Sequence, residues 1–443
     1  MQAHIYIFPI KAYLCLGTRT LQIIHTSDLH LVPEMFENTP VEEAFYNVFG
    51  EIAEKTIESG VKYLLIAGDM FDKPSPPLGI VMKAVSVLRR LRENGVRVVV
   101  VPGNHDVSRS RPGVLNLLAE AGLIHLLEFS EEMGWLLLNP LVFEDDKLVL
   151  YGIPGFPGGG SREVRFLKQG LVKFKNLSTY KNYNVVVLAH INTKFAGYDP
   201  SRYYNRYGKL YLEYEDLLRR FPGNTIYVAL GHIHLPIPLD TAFRSNIAYP
   251  GAPIGMNVGD LLETAELEKL GAFRRSLLVD TSSTLPLVKS IRLESALSVL
   301  HENVTVKGID ELKDRLAELV GRAEGSGYTA LIVDVNGMDR LNSEIEAFRR
   351  DLMKKKNVYI KLRLVDAVKA LPIPVVTINA QARQDLSIPE IELNVLKEFI
   401  SKHRLNMTAD KLKRIIDLLG SPYDVSPERL LEEVIKELGE LKS

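Results

Sequence analysis

The sequence predicts an α/β protein whose sheets are flanked by helices, followed by a small α/β unit and a helical segment at the C-terminus. Three observations predict it. Short apolar runs alternate with helical periodicity as far as Val101, the same alternation restarts after residue 293, and beyond residue 408 only amphipathic helical patterns remain.

In the first alternation, Leu21 to Thr26 reads as a strand, Pro40 to Ser59 as a helix and Val61 to Ala67 as a second strand. Leu78 to Glu93 is a helix and Val96 to Val101 a third strand. Further strands are expected at Leu148 to Ile153, Val185 to Ala189 and Thr225 to Leu230, each stopping just before a polar cluster. Ligands of such sheets sit beyond the carboxyl ends of the strands, which is where those clusters fall. The extended segments FRRSLLVD and LPLVKSIRLE close this domain, expected over 1–293.

The second alternation, within 294–368, runs VLHENVTVKG, a helix from Asp310 to Arg322, YTALIVDV, a helix from Leu341 to Lys354, and NVYIKLRLV. A linker and a helix from Glu390 to His403 fill 369–407, and a helical pair fills 408–443. There Thr408 and Ser426 suit N-caps, Pro427 the first helical position and Gly420 a stop. Helices this short are marginal alone, so their apolar sides are expected on the main body or on another protein.

A chain of 443 residues is long enough for two or three cores. With 54 lysines and arginines against 55 acidic residues, a generally basic coat is excluded, and contact with a polyanion falls to local patches or bound cations. The single cysteine, Cys15, excludes an internal disulfide framework and suits a reducing compartment. The apolar opening lacks a basic start and a small-residue cleavage pattern, so a soluble intracellular protein is expected. Glutamine is scarce beside lysine, arginine and glutamate, which suits a hot environment.

The clusters at the strand ends carry the chemistry. They are SDLH with Asp28 and His30, GDMFD with Asp69 and Asp72, GNHD with Asn104, His105 and Asp106, a lone His190, and GHIH with His232 and His234. On an extended segment an Asp-x-His or His-x-His pair sends both side chains to one face. Glycines before Asp69, Asn104 and His232 suit sharp turns and close backbone approach. A two-metal site is the economical account: Asp28, His30 and His234 for one ion, Asn104, His190 and His232 for the other, and Asp69 between them. Mixed oxygen and imidazole ligands accommodate manganese, iron or zinc. His105 is left to donate a proton or stabilise phosphate charge, with Asp106 as a carboxylate to fix its tautomer. Asp72 is a supporting residue, a turn cap or a contact to His105. His25, His125, His301 and His403 are read as ordinary core or surface residues.

The order DxH, GDxxD, GNHD, H and GHxH resembles the calcineurin-like metallophosphoesterases. IAYPGAPIG after GHIH, the RRSLLVD and VKSIRLE pair leading into a small βαβαβ unit, and the C-terminal helical pair resemble the Mre11/SbcD nuclease family of DNA double-strand break repair. The resemblance implies a metallophosphoesterase sandwich of mixed β-sheets flanked by helices, a capping domain that contacts DNA, and two manganese ions per subunit on Asp28, His30, Asp69, Asn104, His190, His232 and His234. It implies His105 as the catalytic histidine of a 3′-to-5′ exonuclease on duplex ends that is also an endonuclease on single strands. A Rad50-type ATPase is the implied partner of the helices at 408–437. A homodimer through helices 40–59 and 78–94, and a cytoplasmic location on chromosomal DNA in an archaeal or other thermophilic prokaryote, are also implied. Where many members have a second histidine after the GDxF motif, this chain has Asp72.

Arg109 and Arg111 in SRSR, and Arg202 and Arg206 in SRYYNRYGK, are candidate phosphate contacts, and sequence specificity is not expected from them. The MKKKN run at 353–357 reads better as a solvated helix end, and GFPGGGSREVRFLKQG as a loop near the rim of the site. Two other functions compete: a phosphodiesterase for small diesters or nucleotides, and an architectural subunit that tethers DNA ends.

Overall fold

The computed structural model describes residues 21–365 apart from 108–112, 158–160, 196–197, 199–206, 209, 324–326 and 357, together with Thr408. The expectations for residues 1–20, for Arg109, Arg111, Arg202 and Arg206, for His403 and for the C-terminal helical pair lie outside the described residues. Two compact units divide the chain, 1–375 and 376–443.

Two sheets form the body of the first unit. One has seven strands in the order Ala242–Arg244, Leu287–Arg292, Arg275–Asp280, Gln22–Thr26, Tyr63–Ala67, Arg97–Val101 and His125–Leu126. Its last four strands run parallel, and Arg275–Asp280 pairs antiparallel with Gln22–Thr26, so the predicted closing segments do complete this sheet. The second sheet has five strands, Ile247–Ala248, Thr225–Gly231, Asn184–His190, Leu148–Ile153 and Leu141–Phe143, parallel except at the last pair.

Burial on both faces explains why these strands read as nearly continuous apolar runs. Ile23, Leu65, Val99 and Val101 meet Leu150, Val186, Leu188 and Ala229 of the second sheet in one core. The alternate residues Ile24, Leu64, Ile66, Val98 and Val100 turn to the opposite side, where helices Glu42–Glu58 and Leu78–Glu93 bury Phe45, Phe49, Ala84 and Leu88. His25, on the inner face of its strand, is fully buried and shares hydrogen bonds with the Tyr227 hydroxyl at 3.0 Å and the Leu230 carbonyl at 3.2 Å. It is a core histidine, as read from the sequence.

The cap contains strands Ser298–Thr305, Thr329–Asn336 and Val358–Leu364, parallel and in sequential order, with helices Ile309–Ala323 and Ser343–Lys355 between them. Right-handed crossovers put both helices on one face of such a sheet. A helix from the body, Val258–Lys269, packs against the first two strands of the cap. Phe36, fully buried, sets its ring edge-on to Tyr359 of the cap at 4.9 Å. His301 is half-buried beside Asp334 at 3.0 Å, and Met353 to Lys355 of the MKKKN run end helix Ser343–Lys355.

Several elements were not foreseen. Phe129–Glu132 and Trp135–Leu138 make a hairpin turning at Met133 and Gly134, both at positive φ. Arg162–Lys168 is a helix inside the stretch expected to be a rim loop. Val258–Lys269 follows an N-cap, Asn257, whose side chain accepts from the Asp260 N–H at 3.0 Å. Among the described residues no helix is long and apolar enough to cross a membrane.

Candidate metal centre

The polar clusters stand in the turns that follow the strands, and the turns are held by unusual backbone. Asp28, His30, Asp69 and His232 all have positive φ, at 52°, 37°, 50° and 96°. Such a conformation costs a non-glycine residue on the order of 1 kcal/mol, so neighbouring contacts must hold it. They do: the Asp28 N–H donates to the Gly68 carbonyl at 2.9 Å and the His30 N–H to the Asp69 carbonyl at 3.0 Å. The His232 N–H donates to both carboxylate oxygens of Asp28 at 3.1 Å, which ties the last motif to the first. The expectation that the DxH and HxH pairs lie on extended segments is therefore corrected. Left-handed residues bend both, and the side chains converge by turning.

Gly68 makes one of these turns possible. It has φ +92°, and a Cβ there would lie 2.1 Å from Nδ1 of His190. Only glycine fits that space.

Two groups of side chains result. In one, ligand atoms of Asp28, His30 and His234 lie within 4.8 Å of one another, with His234 Nε2 3.8 Å from Asp28 Oδ1. In the other, the Asn104 amide oxygen stands 3.1 Å from His190 Nε2 and 3.0 Å from His232 Nδ1. Asp69 lies between the groups, its Oδ2 3.2 Å from His190 Nε2 and 3.6 Å from His30 Nε2. The seven residues singled out as ligands are thus brought together, and Asp28, Asp69 and His190 also lie close enough to share an ion, across the division the sequence suggested.

The tautomers show what these groups lack. His190 Nδ1 lies 2.9 Å from the Ala67 carbonyl, and His232 Nε2 lies 3.2 Å from the Tyr207 carbonyl. A carbonyl only accepts, so each ring must donate there, and a neutral ring turns its other nitrogen, a bare lone pair, toward the Asn104 oxygen. Facing lone pairs at about 3 Å need a cation between them, whereas a protonated ring donates its second N–H instead, so this geometry suits either a metal ion or the proton that the carboxylates favour on His190. His30 is fully buried, yet neither of its nitrogens makes a hydrogen bond of good geometry; its neighbours are Asp72 Oδ1 at 3.4 Å and Asp69 Oδ2 at 3.6 Å. These orphaned donors and acceptors fit divalent ions.

Electrostatics agree. Burial opposes charge on His190, but the Asp69 and Asp28 carboxylates outweigh it and raise the ring to about 10. His30 is also raised, against its burial, by Asp72, Asp69 and Asp28. His232 goes the other way, pushed down to about 3 by burial and by the neighbouring His190. The carboxylates of Asp28, Asp69 and Asp72 thus favour positive charge beside His30 and His190.

His105 is the most exposed histidine of the cluster, with 37% of its side chain accessible. Its backbone N–H donates to Asp69 Oδ1 at 2.8 Å, and its Nδ1 lies 2.9 Å from the Asp72 carbonyl. Donation to that carbonyl leaves Nε2 as the ring's free position. The tautomer is therefore set by Asp72, which corrects the expectation placed on Asp106. The Asp106 carboxylate instead accepts from the N–H groups of Met70, Phe71 and Gly103 at 3.2, 3.1 and 3.0 Å, clamping the GDMF turn to the GNHD turn. Burial and the nearby Asp69 push Asp106 up to about 7 in spite of those three donors.

Three supporting residues escaped the sequence reading. Tyr207 gives its carbonyl to His232, and its hydroxyl accepts from the His234 N–H at 3.2 Å. Asp260 Oδ2 lies 2.9 Å from His234 Nδ1. Arg274, almost fully buried, donates to the His234 carbonyl and to the Asp260 carbonyl, the latter at 2.8 Å. The asparagine cap three residues before Asp260, ahead of an apolar helical pattern, was the available signal.

Residues 21–236 match the family model for calcineurin-like phosphoesterases, and Asp and His side chains of the same span gather in groups that could hold a metal ion. Over that span the chain is similar to this class of phosphoesterases. It is also similar to archaeal proteins named DNA double-strand break repair protein Mre11. The one from Saccharolobus solfataricus is 26% identical over 345 residues, 76% of this chain and 78% of the relative. That of Archaeoglobus fulgidus is 27% identical over 347 residues, covering 74% and 72%. The Sulfolobus acidocaldarius protein is 24% identical over 436 residues, covering 95% and 96%.

Proposed function

We propose that this chain is a manganese-dependent DNA nuclease that processes double-strand breaks, as a 3′-to-5′ exonuclease on duplex ends and an endonuclease on single strands. The observation that carries the phosphodiesterase chemistry is the convergence of ring nitrogens of His190 and His232 with side-chain oxygens of Asn104 and Asp69, all within 3.2 Å of a neighbour in the group. The names of the relatives supply the substrate.

Two divalent ions, when bound, would supply charge neutralisation of a phosphodiester and activation of a water for in-line displacement. Asp28, His30 and His234 would hold one, Asn104, His190 and His232 the other, with Asp69 standing between the two groups. His105 protonates the leaving oxygen from Nε2, its ring oriented by the Asp72 carbonyl at 2.9 Å. The cap positions DNA, a Rad50-type ATPase binds the C-terminal helices, and helices Glu42–Glu58 and Leu78–Glu93 form the homodimer contact.

The test is cleavage of end-labelled duplex DNA with added manganese, after chelation and reloading, for the wild type, His105→Ala and Asp69→Ala. His105→Ala is expected to keep two ions and lose roughly 100-fold or more in rate. Asp69→Ala is expected to lose ions and cleavage together. A wild type that hydrolyses a small chromogenic diester but not DNA moves the substrate to small phosphodiesters. Binding of DNA ends without any cleavage leaves only a tethering role.

A further inference from the structure

The two groups of candidate ligands differ in what stands behind their histidines. In the second group His190 and His232 each donate to a neutral backbone carbonyl, of Ala67 and Tyr207. In the first group His234 has a carboxylate hydrogen-bonded at its remote nitrogen, Asp260 Oδ2 at 2.9 Å, and His30 has Asp72 Oδ1 beside it at 3.4 Å without a hydrogen bond of good geometry.

Asp260 is built in firmly. It is fully buried in the first turn of helix Val258–Lys269, and its Oδ2 also accepts the Met256 N–H at 3.0 Å. Arg274 fixes the same turn, donating through Nε to Thr264 Oγ1 at 3.0 Å and through its guanidinium to the carbonyls of Asp260 and His234. The carboxylate and the ring it orients are thus held by one arginine. A carboxylate accepting from the remote N–H fixes the Nε2 lone pair of His234 toward Asp28 and makes the ring a stronger donor than a carbonyl does.

We propose that Asp260 is a positioning residue for His234 and that, with Asp72 beside His30, it makes the Asp28, His30 and His234 position the tighter of two unequal cation sites, filled before the other. This rests on the two-ion reading above and goes beyond it by ordering the ions.

The experiment is a manganese titration of the full chain, followed by calorimetry and by electron paramagnetic resonance, which separates isolated manganese from spin-coupled pairs. Wild type is expected to bind in two resolved steps, with isolated manganese at one equivalent and the coupled pair at two. Asp260→Leu is expected to weaken the first step by about 10- to 100-fold, and Asp260→Asn, which keeps an acceptor, by less, with the second step's intrinsic affinity within about twofold. Nitrogen-15 spectra of the metal-free chain should show His234 as the Nδ1–H tautomer in the wild type and a mixture in Asp260→Leu. Should Asp260→Leu fail to fold, the wild-type isotherm and the Asp260→Asn shift decide. Two equal steps in the wild type, or variants matching it in both steps, overturn the proposal. A wild type that binds no divalent ion overturns the two-ion reading itself, which is a different result.

Discussion

A Cβ on Gly103 would stand 2.1 Å from Oδ1 of Asp69 and 2.3 Å from its backbone nitrogen. The residue before Asn104 is therefore glycine because the Asp69 carboxylate occupies the space any side chain would need. Gly103→Ala must displace Asp69, and overpacking of this kind costs about 1–3 kcal/mol. Its larger effect is expected on the site: manganese affinity should fall at least tenfold while the melting temperature drops by only a few degrees. Metal affinity equal to wild type would show that Asp69 can give way without leaving the ions.

His25 gives a pH dependence that has nothing to do with the site. Burial, with Arg275 adding to it, lowers its pKa from 6.5 to about 3, although its bond to the Leu230 carbonyl works the other way. The unfolded chain takes up a proton on this ring that the folded chain refuses. The stabilisation is complete above about 6.5 and is lost as pH falls toward about 3, with a slope approaching about 1.4 kcal/mol per pH unit inside that window. His25→Gln keeps a donor for Leu230 and an acceptor for Tyr227, and should flatten the fall in denaturation midpoint between pH 6 and 4, each value approximate, relative to wild type. Parallel curves for the two proteins would remove His25 as the source.

Leu78 and Met82, four residues apart on one helix face, are 72% and 64% exposed. Large apolar side chains on adjacent turns suit a surface covered by a second copy. Leu78→Glu with Met82→Glu is expected to convert a dimer to a monomer in sedimentation velocity, with manganese binding per chain unchanged. A double variant that sediments as wild type would place the dimer contact elsewhere.

Much of this was legible in the sequence because the strands are short and buried on both faces. Tyr63–Ala67 and Arg97–Val101 lie within the predicted runs, and Leu148–Ile153 coincides with its prediction. The metal groups were legible for a related reason, since chemistry gathers where parallel strands end. Contacts between residues without shared periodicity were not. Asp260 meets His234 across 26 residues of chain, and Tyr207 reaches both histidines of GHIH from a segment that reads as a basic aromatic loop. The role given to Asp106 failed because adjacency in sequence is a poor guide inside a turn. At Gly103 to Asp106 the chain folds back so that the carboxylate faces backbone donors, while His105 faces Asp72.

The cap sheet also has a bearing on how the chain assembles. Its three strands run in sequential order with their helices on one side, and helix Val258–Lys269 of the body packs on two of the strands. Val299, Ala330, Ile332 and Tyr359, which share a pleat face, are all buried. A cap cut free near residue 293 would turn part of its apolar surface to water, so it is a poor candidate for independent folding. The body lies earlier in the chain, so the expected order of assembly is that the cap condenses onto a body already made.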